Sequence, residues 1–149
     1  MEIIDFLAPE RVLLDVRSRD KSLLISEIAR IFGRLMPALK PEAVEAALLA
    51  REQLGSTGLG DGFALPHARI EHLESYLGLF VRLARPISFD AIDDKPVMLV
   101  FVLLIPSEGP ASHVSALAAI SRRFRSTTLV TNLHKAKTQA EAYELLTRS

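Results

Sequence analysis

The chain has 149 residues, 49% of them hydrophobic and 24% charged, which is enough apolar material for one sizeable core and predicts a single domain over residues 1–149. Eighteen Lys and Arg balance eighteen Asp and Glu, for a formal net charge of zero, and this argues against an electrostatic grip on nucleic acid or an anionic membrane. The absence of cysteine removes disulfides, thiol nucleophiles, thiolate-metal sites and iron–sulfur clusters as options.

The longest strongly apolar run, Val97 to Ile105, is fenced by Pro96 and Pro106 and falls well short of the roughly twenty residues of a membrane helix. It reads as a buried strand. Met1 to Pro9 carries Glu2 and Asp5 and no basic-then-apolar pattern, so the expectation is a cytoplasmic protein with no signal and no membrane insertion.

In chain order, Arg11 to Val16 predicts a short strand. Ser22 to Leu35 predicts a helix with Leu23, Leu24, Ile28, Ile31, Phe32 and Leu35 at helical spacing. Pro41 to Leu54 predicts a second helix, with proline in its first turn and Gly55 after its end. Four of the seven glycines then fall between Gly55 and Gly62, a density that marks a loop whose backbone adopts conformations or approaches closed to side chains. Phe63 to Ala68 follows as an extended segment, because Leu65 precedes a proline. Tyr76 to Leu83 and Val97 to Ile105 predict strong strands, joined by a loop containing Pro86, Asp90, Asp93 and Asp94.

Ser112 can cap a helix from His113 to about Phe124, with Val114, Leu117, Ala118 and Ile120 on its apolar face. Shorter helices at Thr127 to Lys135 and Thr138 to Leu146 complete the chain. Strands and helices interleave, so the predicted fold class is α/β: a sandwich with a mixed β-sheet flanked by helices on both faces.

His67 is the first chemical candidate. It follows the glycine loop in Ala64-Leu65-Pro66-His67-Ala68-Arg69, where the proline stiffens the chain entering the histidine. A neutral imidazole can attack phosphorus through one nitrogen when an acceptor holds the other; a satisfied, partly buried histidine is the competing reading. His113, at a predicted helix start, is placed where backbone N–H groups favour an anion, against the alternative of an ordinary surface residue. Arg51, just before the glycine loop, offers a forked donor to phosphoryl oxygens or is a solvated helix cation. Asp61 is a candidate for orienting Arg51 or a neighbour, or an ordinary turn residue.

His72 and His134 are assigned to solvent, and Arg122, Arg123, Arg125, Lys135 and Lys137 to a solvated helix face. His67 to His72 has one residue too many for the inverted zincin pattern, so no metal is expected. The glycine loop lacks the Lys and Ser/Thr of a phosphate-binding loop and the spacing of a dinucleotide fingerprint, and no cofactor is expected. No nucleophile-elbow motif occurs. Aromatic residues are 6% of the chain and tryptophan is absent, which argues against base-stacking surfaces.

Arg51-Glu52-Gln53-Leu54-Gly55-Ser56-Thr57-Gly58, followed by Gly60-Asp61-Gly62-Phe63-Ala64-Leu65-Pro66-His67-Ala68, resembles the signature of phosphotransferase-system enzyme IIA proteins of fructose/mannitol type. Pro86 to Asp93, the strand ending at Pro106, and Ser112-His113-Val114 with Leu117 extend the resemblance over nearly the whole chain, most like the nitrogen-related regulatory branch. The resemblance implies a phosphoryl carrier in which His67 accepts phosphate, His113 and Arg51 bind the phosphoryl oxygens, and Asp61 takes an orienting role. It implies a histidine phosphocarrier protein as donor, phosphoenolpyruvate as source through enzyme I, and regulatory proteins as targets. Leu59, Phe63, Leu65 and Val114 are candidates for an apolar collar against the donor, or for core packing. The alternatives are a sugar-specific IIA that passes phosphate to a separate IIB, and a non-catalytic binding module on the same fold.

Overall fold

The computed structural model describes residues 1–108 and 113–148. The predicted cap Ser112 and the side chain of His113 lie outside the described residues. Two 3₁₀ turns, Ile3–Asp5 and Pro9–Arg11, precede β1 (Val12–Val16). Then come α1 (Lys21–Leu35), α2 (Pro41–Gln53), β2 (Gly58–Gly60), β3 (Phe63–Ala64), β4 (His67–Ile70), β5 (Leu77–Ile87), β6 (Val97–Pro106), α3 (His113–Phe124), α4 (Thr127–Lys135) and α5 (Gln139–Thr147).

The sheet runs β1-β5-β6-β3-β2, with β4 also paired to β6. β5 and β6 are antiparallel, β1 is parallel to β5, and β3 and β4 are both parallel to β6. The sandwich with a mixed sheet and helices on both faces is therefore the observed fold. β3 and β4 occupy one edge of β6 in succession, Phe63 opposite Leu99 and His67 opposite Leu103. Together they line one side of β6 and are interrupted at Leu65-Pro66, because the proline has no N–H to give to a ladder. The Pro66 carbonyl nevertheless accepts from the Leu103 N–H at 3.0 Å.

Both faces of the central pair are covered, so β6 is apolar at nearly every position. Val100, Val102 and Leu104 join Leu79, Val81 and Leu83 in a core beneath α1 and α2. Leu99, Phe101, Leu103 and Ile105 join Phe80 in a second core beneath α3, α4 and α5. Side-chain alternation along two strands thus feeds two cores.

Local differences from the sequence reading have local causes. Arg11 closes a 3₁₀ turn instead of opening β1, and its side chain donates to the Gly78 carbonyl at 2.9 Å. α1 begins at Lys21 because the Asp20 carboxylate accepts from the Leu23 N–H at 2.9 Å; Leu23 itself faces outward, while Ile25 and Ala29 are buried. The glycine loop contains β2, paired antiparallel with β3. β5 continues to Ile87 through Pro86, tolerated where the register with β6 breaks between Arg82 and Ile87. In α3 the buried face is Ala116, Ala119, Ile120 and Phe124, and Val114 and Ala118 point outward.

Arg82, buried on β5, is the main polar surprise. Its guanidinium donates to the carbonyls of Leu133 and Ala136 at 2.8 and 2.6 Å and pairs with Asp15 at 3.1 Å, so it caps the end of α4 from the sheet. Arg123 is likewise not a solvated cation: it donates to the Leu145 carbonyl at 2.6 Å and ties α3 to α5.

Candidate functional site

The site forms where α2 ends, β4 begins and α3 starts. Arg51, in the last turn of α2, and His67, the first residue of β4, line one hollow of about 770 Å³ together with Leu54, Ala68, Val114 and Leu117. Val114 follows His113 at the start of α3, so the first turn of that helix borders the same hollow. The structure therefore brings Arg51, His67 and the helix start expected at His113 to one place.

His67 is oriented through Nδ1, which lies 2.8 Å from the Leu65 carbonyl oxygen. A carbonyl only accepts, so Nδ1 carries the proton and Nε2 carries the lone pair of the neutral ring. Ala68 and Ile70 pack toward α1 and α2, and strand alternation directs His67 the other way, into the hollow. One Arg51 N–H donates to the Gly55 carbonyl at 2.9 Å, which holds the guanidinium over the glycine loop.

A buried carboxylate sets the loop itself. The Glu52 side chain, 6% exposed, pairs with the Lys21 ammonium at 2.6 Å and accepts from the Thr57 N–H at 3.2 Å and from the Thr57 hydroxyl. The Thr57 carbonyl accepts from the Leu65 N–H at 2.9 Å, and the Leu65 carbonyl holds His67. A chain of polar contacts thus runs from α1 through the glycine loop to the imidazole. Ser56 adds a bond of 2.6 Å to the Phe89 carbonyl. Sequence reasoning missed Glu52, Thr57 and Lys21; a glutamate five residues before a threonine in a glycine loop was the available signal, and Lys21 is too distant in sequence to read.

Glycine is required at position 58 by close approach, since a Cβ there would meet the Cβ of Ala91 at 2.8 Å. Gly60, Asp61 and Gly62 all have positive φ, with Asp61 at 53°, a conformation aspartate tolerates better than most residues. Asp61 lies in an adjoining hollow of about 750 Å³, with Arg122 and Arg125, separate from Arg51. Its N–H donates to Asp93 at 2.9 Å; this bond and that from the Lys95 N–H hold the Asp93 carboxyl below the usual carboxylate range.

The expected apolar collar divides. Phe63 and Leu65 are core, with Phe63 stacked on Phe124 at 4.0 Å. Leu59 and Val114 are exposed, at 50% and 63%, and Leu54 joins them at 84%. His72 and His134 are exposed and lie apart from the hollow. Among the described residues no three His, Asp or Glu side chains are grouped to hold a metal ion, and no helix is long and apolar enough to cross a membrane.

A model of the phosphoenolpyruvate-dependent sugar phosphotransferase system EIIA 2 family matches residues 5–149. The chain belongs to that family. It is 38% identical to a nitrogen regulatory protein of Bradyrhizobium diazoefficiens over 98% of its own length and 95% of the relative's. The crystal structure of nitrogen regulatory protein IIA-Ntr from Neisseria meningitidis superposes with a TM-score of 0.90 at 34% identity, covering 96% of this chain and 97% of that one. IIA mannitol from Escherichia coli shares the fold at a TM-score of 0.77 and 20% identity, over 93% and 97% of the two chains. The protein is thus a phosphotransferase-type component whose near full-length relatives are nitrogen regulatory proteins.

Proposed function

We propose that this chain is a regulatory phosphoryl carrier that takes phosphate on Nε2 of His67 from the phosphohistidine of a histidine phosphocarrier protein, itself charged from phosphoenolpyruvate through enzyme I. The observation that carries the reading is the Nδ1–H to Leu65 carbonyl bond of 2.8 Å, made in a hollow that also holds Arg51. The Nε2 lone pair forms the new N–P bond as the donor's N–P bond breaks, and the donor imidazole leaves with that electron pair. His67 keeps its Nδ1 proton throughout and becomes a positively charged ring, which the Leu65 carbonyl stabilises.

The Arg51 guanidinium, with N–H groups beyond the one held by Gly55, neutralises charge on the transferring group, as do the amide dipoles at the start of α3. His113 is assigned the same duty by family resemblance. Asp61 serves through its backbone, which anchors the glycine loop to Asp93. Exposed Leu54 and Val114 form an apolar rim suited to the donor protein, with exposed Leu59 at the adjoining hollow.

Phosphorylation places a dianionic group in this rim and so changes which proteins it fits. Similarity to nitrogen regulatory proteins along nearly the full chain supports regulation as the output. The reading implies a cytoplasmic protein that works beside enzyme I.

The test is intact mass at neutral or mildly alkaline pH, where phosphohistidine survives, after incubation with phosphoenolpyruvate, enzyme I and the phosphocarrier. One added phosphoryl group is expected on the wild type and none on His67→Ala. An unchanged wild-type mass with a competent donor, or equal labelling of the variant, overturns the proposal.

A further inference from the structure

An arginine-lined concavity lies far from His67. Arg17, Ser18 and Arg19 after β1, Leu23, Glu27 and Arg30 on α1, and Ala84 and Arg85 on β5 enclose about 260 Å³. Val16 pairs with Leu83 across β1 and β5, so Arg17 leaves β1 beside Ala84, while β5 itself runs on to Ile87. The cleft therefore opens at the carboxyl end of β1, against the stretch of β5 that has no partner in β1. His67 sits opposite Leu103 of β6 and Ile87 opposite Val97, which separates the two sites by about 20 Å along the sheet at the usual strand rise.

The charge there is one-sided. Four guanidiniums face one carboxylate in a chain with no net charge. Glu27 is already committed to Arg30 at 2.5 Å, and among the described residues the side chains of Arg17, Arg19 and Arg85 have no ion pair or hydrogen bond. Asp20 is turned to the helix, capping Leu23, and Asp15 is turned to Arg82. Every cation is arginine, whose planar fork matches phosphate oxygens and is less strongly hydrated than an ammonium. The break in β5 register between Arg82 and Ile87 delivers Arg85 to the cleft.

We infer that this cleft binds a small anion carrying at least two phosphate groups. Its volume is below that of a typical drug-sized pocket, and four of its eight lining residues are arginines, so a compact polyanion fits it better than a large ligand or a protein segment. Arg17 and Arg19 would take one phosphate, with Arg85 and the Glu27-anchored Arg30 on the other.

The test is titration of the ¹⁵N-labelled full chain with sodium pyrophosphate at constant ionic strength, compared with hexaglutamate and with the Arg17→Ser/Arg85→Ser variant. Saturable shifts are expected at Arg17, Arg19, Leu23 and Arg85, with affinity at least tenfold weaker in the variant and its melting temperature unchanged. Absence of saturable shifts at these residues, shifts confined to Arg51 and His67, equal affinity in the variant, or binding of hexaglutamate with no response to pyrophosphate would each overturn the inference. All of these readouts are independent of phosphoryl transfer at His67.

Discussion

The β5–β6 pair and the segment from Gly55 to His67 are held by different forces. In the first, an antiparallel ladder from Leu77 opposite Leu104 to Arg82 opposite Leu99 buries apolar side chains on both faces. In the second, two short strands leave little ladder to share, and position depends on side chains bonding backbone: Glu52 to Thr57, Ser56 to Phe89, His67 to Leu65. Apolar burial is strong and undirected, whereas these polar ties are individually modest but aim particular atoms. The sheet should therefore determine whether the molecule folds, and the loop where the imidazole points.

The harshest way to test that division is in the sheet. Phe101 is fully buried, edge-on to Phe6 at 6.1 Å, and Phe101→Ala should cost about 3–5 kcal/mol in urea unfolding. Phosphorylation per folded molecule, read by intact mass at a temperature where the variant remains folded, should match the wild type. A parallel fall in both would show that the core also sets the aim of His67.

A subtler change falls on the loop. Glu52→Gln keeps shape and one acceptor oxygen, but leaves the Lys21 ammonium with only the exposed Asp90 carboxylate at 3.9 Å, and should cost about 1–3 kcal/mol. Loosening Thr57 then frees the Leu65 N–H and blurs the tautomer at His67. The phosphorylation rate should drop several-fold, and the ¹⁵N shifts of the His67 ring should move toward mixed tautomers. A stable Glu52→Gln protein with unaltered ring shifts and rate would remove the positioning role and leave Glu52 as a structural residue only.

These two regions were not equally legible in sequence. The long apolar run at Val97 to Ile105 and the helix from Pro41 carry their reasons locally, in hydrophobic periodicity and in proline and glycine punctuation. Arg51 and His67 were singled out as candidates because the glycine loop and Pro66 lie beside them. The Lys21 to Glu52 contact joins residues thirty-one positions apart, and no local rule writes it. Arg82 gives no local sign of its burial either, because what makes it tolerable is the end of α4, some fifty residues later. The register break that carries β5 through Pro86 is set by its neighbour strand. Arg122, Arg123 and Arg125 read alike in sequence, yet one of the three is a tie between helices.

The smallest expected effect concerns His134, on the frame side of the comparison. Partial desolvation of its ring, and then the nearby Arg82 cation, lower its pKa from the ordinary value. From about the unfolded value of 6.5 down to the lower folded one, the unfolded chain therefore binds more protons than the folded one. Stability should fall as pH drops through that value toward the lower folded one, and level off beneath it. Urea midpoints measured between pH 8 and pH 5 should show this slope in the wild type and a shallower one in His134→Gln, while His67 ring shifts at fixed pH stay the same in both. Identical slopes would mean that Arg82 holds the end of α4 equally well beside a charged imidazole, and that the frame carries no pH dependence of its own at this position.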